Sequence, residues 1–170
     1  MKMKEIKREK NKNSVFLRVS PPCPSVVFFL LFSLFTFNLF SQTAERIERL
    51  LLTNAVSYAD AAQFVLEAAD VLAAPGPAAF NYALEQGWLP RGAEAGDSAR
   101  LDGLSLLIMK SFNIQGGLMY NAVKNAHYAY RELVYINVIQ GRNDPAMAVS
   151  GDLLLFMVNR LLSYQEVGQI

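Results

Sequence analysis

The sequence is poor in the residues that most often do chemistry. Its 170 residues include one cysteine and one histidine. Cys23 precedes the long apolar run, so the chain beyond that run has no thiol for a disulfide, a metal thiolate or a nucleophile. His127 has no histidine, cysteine or carboxylate partners at metal-ligand spacing. No Ser-His-Asp set and no paired carboxylates can be assigned. Gly116-Gly117 is not followed by Lys-Ser/Thr, which excludes a phosphate-binding loop. Clean period-2 alternation between turn signals is also missing. "LVYINVI", Leu133 to Ile139, could pass for a strand, but "HYAYRE" before it and Gly141 after it favour helix. These absences point away from an enzyme, a metal protein or a cofactor protein, and towards an all-α binding or assembly module.

Charge is unevenly placed. Residues 1–25 hold seven Lys/Arg and two Asp/Glu, whereas residues 42–170 hold nine and thirteen, a net of −4. A mildly acidic body argues against nucleic acid, because phosphate binding needs a concentrated basic face. The basic excess belongs to a leader, "MKMKEIKREKNKN", followed by fifteen apolar or small residues from Val26 to Phe40. That length suits a signal-peptide core better than a spanning helix of roughly 20 residues. Residues 1–41 are therefore expected to be a signal peptide or an N-terminal membrane anchor. Ser41 offers a small residue for cleavage, although Leu39 departs from the small-x-small rule. Either way the body is exported, to the periplasm or cell envelope. The membrane is expected to be touched only through residues 26–40, and only if they are retained.

A lead helix is expected within 42–55, where Ile47, Leu50 and Leu51 share a face and Glu45 and Arg49 form an i, i+4 pair. Residues 56–170 are expected to form one helical domain. Ser57 and Asp60 resemble a capping box opening a helix to about Ala73, which Pro75 and Pro77 end. A short helix over 78–86 precedes Gly87 as a left-handed cap. Asp102 is expected to cap a helix with Leu104, Leu107, Ile108 and Phe112 on one face. A further helix runs from near Asn125 to Gln140, capped by Gly141, and Ser150 starts the last, to about Tyr164. The outcome is an all-α bundle of about five or six short helices.

Two stretches share an order: helix, Gly, polar loop, capping residue, apolar helix. They are "ALEQGWLPRGAEAGDSARLDGLSLLIMKSF" and "LVYINVIQGRNDPAMAVSGDLLLFMVNRLL". Leu101-Asp102-Gly103 and Val149-Ser150-Gly151 correspond under a shift of 48, and "SYADAAQFVLEAADVL" supplies half of an earlier copy. Two-helix units of this kind bury their apolar faces by stacking on one another.

The arrangement resembles the S-layer homology module, a family with a Gly-containing "GIIxG" stretch, an Asp/Pro loop and a helix opening on Thr-Arg-Ala-Glu. "VIQGRNDP" is similar to the first part. "VSYADAAQFVL" is similar to the second, with Ser57, Tyr58 and Asp60 in place of Thr, Arg and Glu. The resemblance spans roughly Val56 to Tyr164. It implies non-covalent attachment to cell-wall polysaccharide through helix-start arginine and turn residues. That arginine is absent at Tyr58 and Gly151.

Candidate binding residues gather at the turns. Trp88 can stack on a sugar face or anchor an interface, or fold over the core. Arg142 and Asp144 can bind charge, or serve the turn, with Asp144 in an Asx turn and Arg142 against a helix C-terminus. Arg91 and Arg100 flank the upstream loop and can share a basic patch with Arg142, or simply keep the surface soluble. The tyrosines of "HYAYRELVY", Tyr130 among them with Arg131 beside it, can line a sugar-binding groove, or belong to the core or an interface. No catalytic residue, metal ligand or cofactor is expected. The reading is a non-enzymatic exported module that binds peptidoglycan, another wall polysaccharide or an envelope protein; the alternative is a membrane-tethered structural subunit. Because "LLLFMVNRLL" is apolar on more than one face, self-association is expected.

Overall fold

The computed structural model describes residues 44–141, 143–166 and 168. The segment expected to be a signal peptide or anchor, 1–41, and Arg142 lie outside them. Thr43–Ile170 forms one compact unit. Its helices are α1 (44–51), α2 (Tyr58–Ala68), α3 (Gly76–Glu85), α4 (Leu101–Ser111), α5 (Leu118–Val123), α6 (Ala126–Tyr135) and α7 (Gly151–Glu166). The all-α bundle is as the sequence indicates, and α5 brings the described helices to seven. No described helix is long and apolar enough to cross a membrane.

Three helices start in the same way. The residues before α2, α4 and α7 are extended and exchange backbone hydrogen bonds in a closed ring. Val56 N–H donates to the Val149 carbonyl at 2.8 Å, Val149 to Ala99 at 2.9 Å, and Ala99 to Val56 at 2.7 Å. All three side chains are fully buried. A buried backbone polar group needs a partner, and a three-way ring supplies one without a sheet. The helix starts at Tyr58, Leu101 and Gly151 lie 43 and 50 residues apart.

Each helix start is also covered by the loop before its neighbour. Tyr58 and Ala59 donate to the carbonyls of Asp97 and Ala95, and Leu101 and Asp102 donate to those of Met147 and Pro145. Gly151 donates to Thr53 at 2.9 Å, which closes the set. Helix N-termini leave four donors without intrahelical partners, and here neighbouring carbonyls take several of them. Asp102 is accordingly not the cap of α4. Arg100 holds that position without a side-chain cap bond, and Asp102, inside the first turn, accepts from Gly103 N–H at 2.8 Å. The ring also corrects the repeat register: Ala99-Arg100-Leu101, not Leu101-Asp102-Gly103, corresponds to Val149-Ser150-Gly151.

The helix ends repeat too. α2 and α4 are both 11 residues long and end through left-handed Asp70 (φ 54°) and Asn113 (φ 50°). α2 therefore stops at Ala68, short of the expected Ala73. Pro75 instead caps α3, and Pro77 sits in its first turn, where its missing N–H costs nothing. α3 and α6 end through Gly87 (φ 67°) and Asn137 (φ 58°). α6 starts at its Asn125 cap as expected but ends at Tyr135, not Gln140, because Val138 and Ile139 turn inward and are buried. Gly141 then lies in the loop beyond the helix. Ser57 accepts from Asp60 N–H at 3.1 Å, half of the expected capping box; the Asp60 carboxylate accepts from the Ser57 hydroxyl instead.

α4 is the central helix. Leu101, Leu104, Leu107, Ile108 and Met109 are buried, and Ser105 and Ser111 return their hydroxyls to the Leu101 and Ile108 carbonyls. Helix α7 buries Leu154, Met157, Val158 and Leu161 and leaves Phe156 exposed.

Candidate functional site

The loop between α3 and α4 folds beside the α2 start and forms a cleft of about 400 Å³. Tyr58, Pro90, Arg91, Asp97, Ser98 and Arg100 line it. The helix-start ring sets its position, because Ser57 bridges Ser98 and Tyr58 N–H is held by Asp97. Asp97 also accepts from Glu94 N–H at 3.2 Å, which tightens the loop. Arg100 points a guanidinium nitrogen to the Asp102 carboxylate at 2.9 Å, and its side chain remains 54% exposed. One carboxylate contact leaves further Arg100 donors for a ligand. Arg91 is exposed on the same cleft.

Tyr58 forms the inner wall. It is almost fully buried, its ring lies over Gly103, and its oxygen accepts from Arg100 N–H at 3.3 Å. Burial raises the phenol above its ordinary value of 10.0, with the Asp102 charge adding to the rise and the Arg100 backbone bond opposing it. The folded state thus holds this proton more tightly than the unfolded state. That contribution to stability is complete below the ordinary phenol value and is lost as pH rises through the folded value. Between about pH 9 and about pH 11, the urea midpoint of wild type should fall further than that of Tyr58→Phe. Equal falls would show that Tyr58 ionises as freely as an exposed tyrosine.

At the equivalent α4 start, Leu101 and Met147 replace Tyr58 and Asp97, so the polar lining is peculiar to the first position. Tyr58, Leu101 and Gly151 are all buried, and a charged head there would need a partner.

The sequence-selected residues divide. Arg91 and Arg100 meet in the cleft. Trp88 does not line it; half-buried, it packs edge-on against Tyr82 at 5.7 Å, as a loop residue folded over the core. Tyr130 donates its hydroxyl to the Asn143 carbonyl at 2.7 Å and so holds the α6–α7 loop. Asp144 forms the expected Asx turn, accepting from Ala146 N–H at 2.9 Å. Arg131 is exposed on α6 and lines neither the cleft nor the α1–α2 groove. Arg142 lies outside the described residues, so a shared patch with Arg91 and Arg100 goes undescribed.

Sequence reading missed Tyr58 and Asp97 as cleft walls and overlooked Arg160. The Arg160 guanidinium lies 5.9 Å from the Phe156 ring centroid and 5.3 Å from that of Tyr164. With the Gln140 amide turned to satisfy it, the amide oxygen accepts from both terminal nitrogens at 2.9 and 3.0 Å. The i, i+4, i+8 spacing of Phe156, Arg160 and Tyr164 was the available signal. A second cavity, a groove of about 390 Å³ between α1 and α2, has Ile47, Leu50 and Phe64 in its lining and the Arg46–Glu67 ion pair at its rim. None of the selected residues lines it. Among the described residues, no group of three His, Cys, Asp or Glu could hold a metal ion.

No protein-family model, curated protein or solved structure matches the chain.

Proposed function

We propose that this chain is an exported, non-enzymatic module of the cell envelope that binds a wall polymer, or failing that an envelope protein, at the α3–α4 cleft. The observation that carries the reading is that Arg91 and Arg100 both line a polar cleft beside a buried tyrosine. Two guanidinium groups with a serine hydroxyl suit an anionic, hydroxyl-rich ligand such as an acidic saccharide. The resemblance to S-layer homology modules supports the same class of ligand. Arg100 supplies a helix-start arginine, although one residue before the helix rather than inside it. The basic, apolar leader supports export.

Co-sedimentation of residues 43–170 with cell-wall sacculi, with and without their secondary polymer, tests the reading. Saturable pelleting is expected. Arg91→Ala combined with Arg100→Ala should weaken it about tenfold or more, equivalent to about 1.4 kcal/mol. Trp88→Ala, which alters a packed loop residue outside the cleft, should leave the affinity within about threefold. If wild type fails to pellet, the wall-polymer reading falls and the cleft should be offered envelope proteins.

A further inference from the structure

Helix α5 has no counterpart in the first unit. There α2 connects to α3 through residues 69–75, whereas 112–125 connect α4 to α6 and contain α5. The helix is anchored by one buried side chain, Tyr120, and by an Asn121 side-chain bond to the Gly116 carbonyl at 2.6 Å. Left-handed Lys124, φ 46°, ends it after six residues. The rest of α5 faces outward. Leu118 is 90% exposed, Met119 63% and Val123 53%. Tyr135, 83% exposed, stands one turn beyond Glu132, whose carboxylate lies beside Gly117 at the foot of α5. Scattered exposed apolar residues need no explanation, but three on one short inserted helix beside an exposed tyrosine do.

The chain on either side of α5 differs in charge from the rest of the body. From Gly103 to Arg131 the chain contains Lys110, Lys124 and Arg131 and no Asp or Glu, within a body of net charge −4. Glu132 is the nearby acid, and it faces inward to Gly117 and Tyr120, where its charge adds to the rise that burial gives the Tyr120 phenol. An apolar tip with lysine and arginine beside it and tyrosine at its margin fits the boundary between headgroups and acyl chains.

We propose that α5 and the adjoining end of α6 form a docking tip for an anionic lipid bilayer, inserting Leu118, Met119 and Val123 while Lys124 and Arg131 meet the headgroups. Size favours a bilayer over a second copy of the chain. A helix of six residues is about 9 Å long, too short to build the roughly 1,200 Å² or more of a stable interface. An exposed apolar helix of that length is well suited to enter a membrane surface. This contact differs from the one expected of residues 26–40, and it does not depend on the α3–α4 cleft.

Residues 43–170, which carry their own core, should be tested by flotation with two kinds of vesicle. One is phosphatidylcholine alone; the other contains about 30% phosphatidylglycerol. Flotation is expected with the anionic vesicles, reduced severalfold in about 0.5 M salt. Leu118→Asp with Val123→Asp should abolish it, with circular dichroism and urea midpoint unchanged because both positions are exposed. Lys124→Ala with Arg131→Ala should weaken it severalfold on anionic vesicles, whereas the Arg91/Arg100 variant should float like wild type. Absence of flotation, or equal flotation of the aspartate variant, would overturn the proposal. A dimer by light scattering that the aspartate substitutions dissolve, without wild-type flotation, would overturn it in favour of a second copy.

Discussion

Gly151→Ala is expected to destabilise residues 43–170 by about 3 kcal/mol, although helix propensity gives the opposite sign. Gly151 opens α7, and alanine in a helix is favoured over glycine by about 1 kcal/mol. Packing reverses this. A Cβ on Gly151 would run into the Leu50 carbonyl at the end of α1. The obstacle is backbone, not the tip of a flexible side chain, so a whole segment must move. Gly151 N–H also donates to Thr53, which ties the α7 start to the same strap. Shifting α1 would loosen that bond together with the ring contact of Val56, and overpacking alone costs about 1–3 kcal/mol. Urea unfolding would show a lower midpoint. Trypsin should also cut sooner at Arg46 or Arg49 if α1 is displaced. A midpoint equal to or above that of wild type would show that α1 does not sit on the α7 start.

Ala99→Pro should be about as damaging, with a loss of about 3 kcal/mol or more. Ala99 donates to Val56 at 2.7 Å and accepts from Val149 at 2.9 Å, so its N–H closes the ring. Proline removes that donor and places its ring carbon against the carbonyl oxygen. The Val56 carbonyl would be left unpaired among fully buried neighbours, a penalty of about 1–3 kcal/mol by itself. Ala99→Gly keeps the donor and should cost about 1 kcal/mol. Proline keeps the β-carbon, so the excess loss over Ala99→Gly, read from the two urea midpoints, reports the missing donor together with the ring clash. Matching midpoints would mean that the ring follows from helix packing and contributes little to holding it.

The helix content and the apolar faces were legible from sequence because both arise locally. The Asn125 cap, the Gly87 turn and the Asp144 Asx turn each depend on residues within a few positions of one another. Errors came where distant backbone decides. "LVYINVIQG" reads as continuous apolar helix to Gln140, yet Asn137 takes the left-handed turn that Gly87 takes after α3. The side chain of Asp102 suits a cap, whereas the Met147 and Pro145 carbonyls supply what a cap would have supplied to α4. At the cleft, loop composition points to Arg91 and Arg100, but in sequence Tyr58 reads only as a departure from a motif.

By itself the sequence determined an all-α body, a basic and then apolar N-terminal stretch, the absence of any cysteine beyond Cys23, and the sites of most helix starts. Those properties follow from side-chain type and short-range spacing, which a linear reading can see. Only the tertiary structure decided that α2, α4 and α7 begin on one hydrogen-bonded ring, that the third start is sealed by the strap after α1, and that Tyr58 lies beneath Arg91 and Arg100. These contacts join backbone groups 43 to 93 residues apart, between Val56, Ala99 and Val149. Every residue except proline carries the same N–H and C=O, so such bonds leave no mark on residue identity.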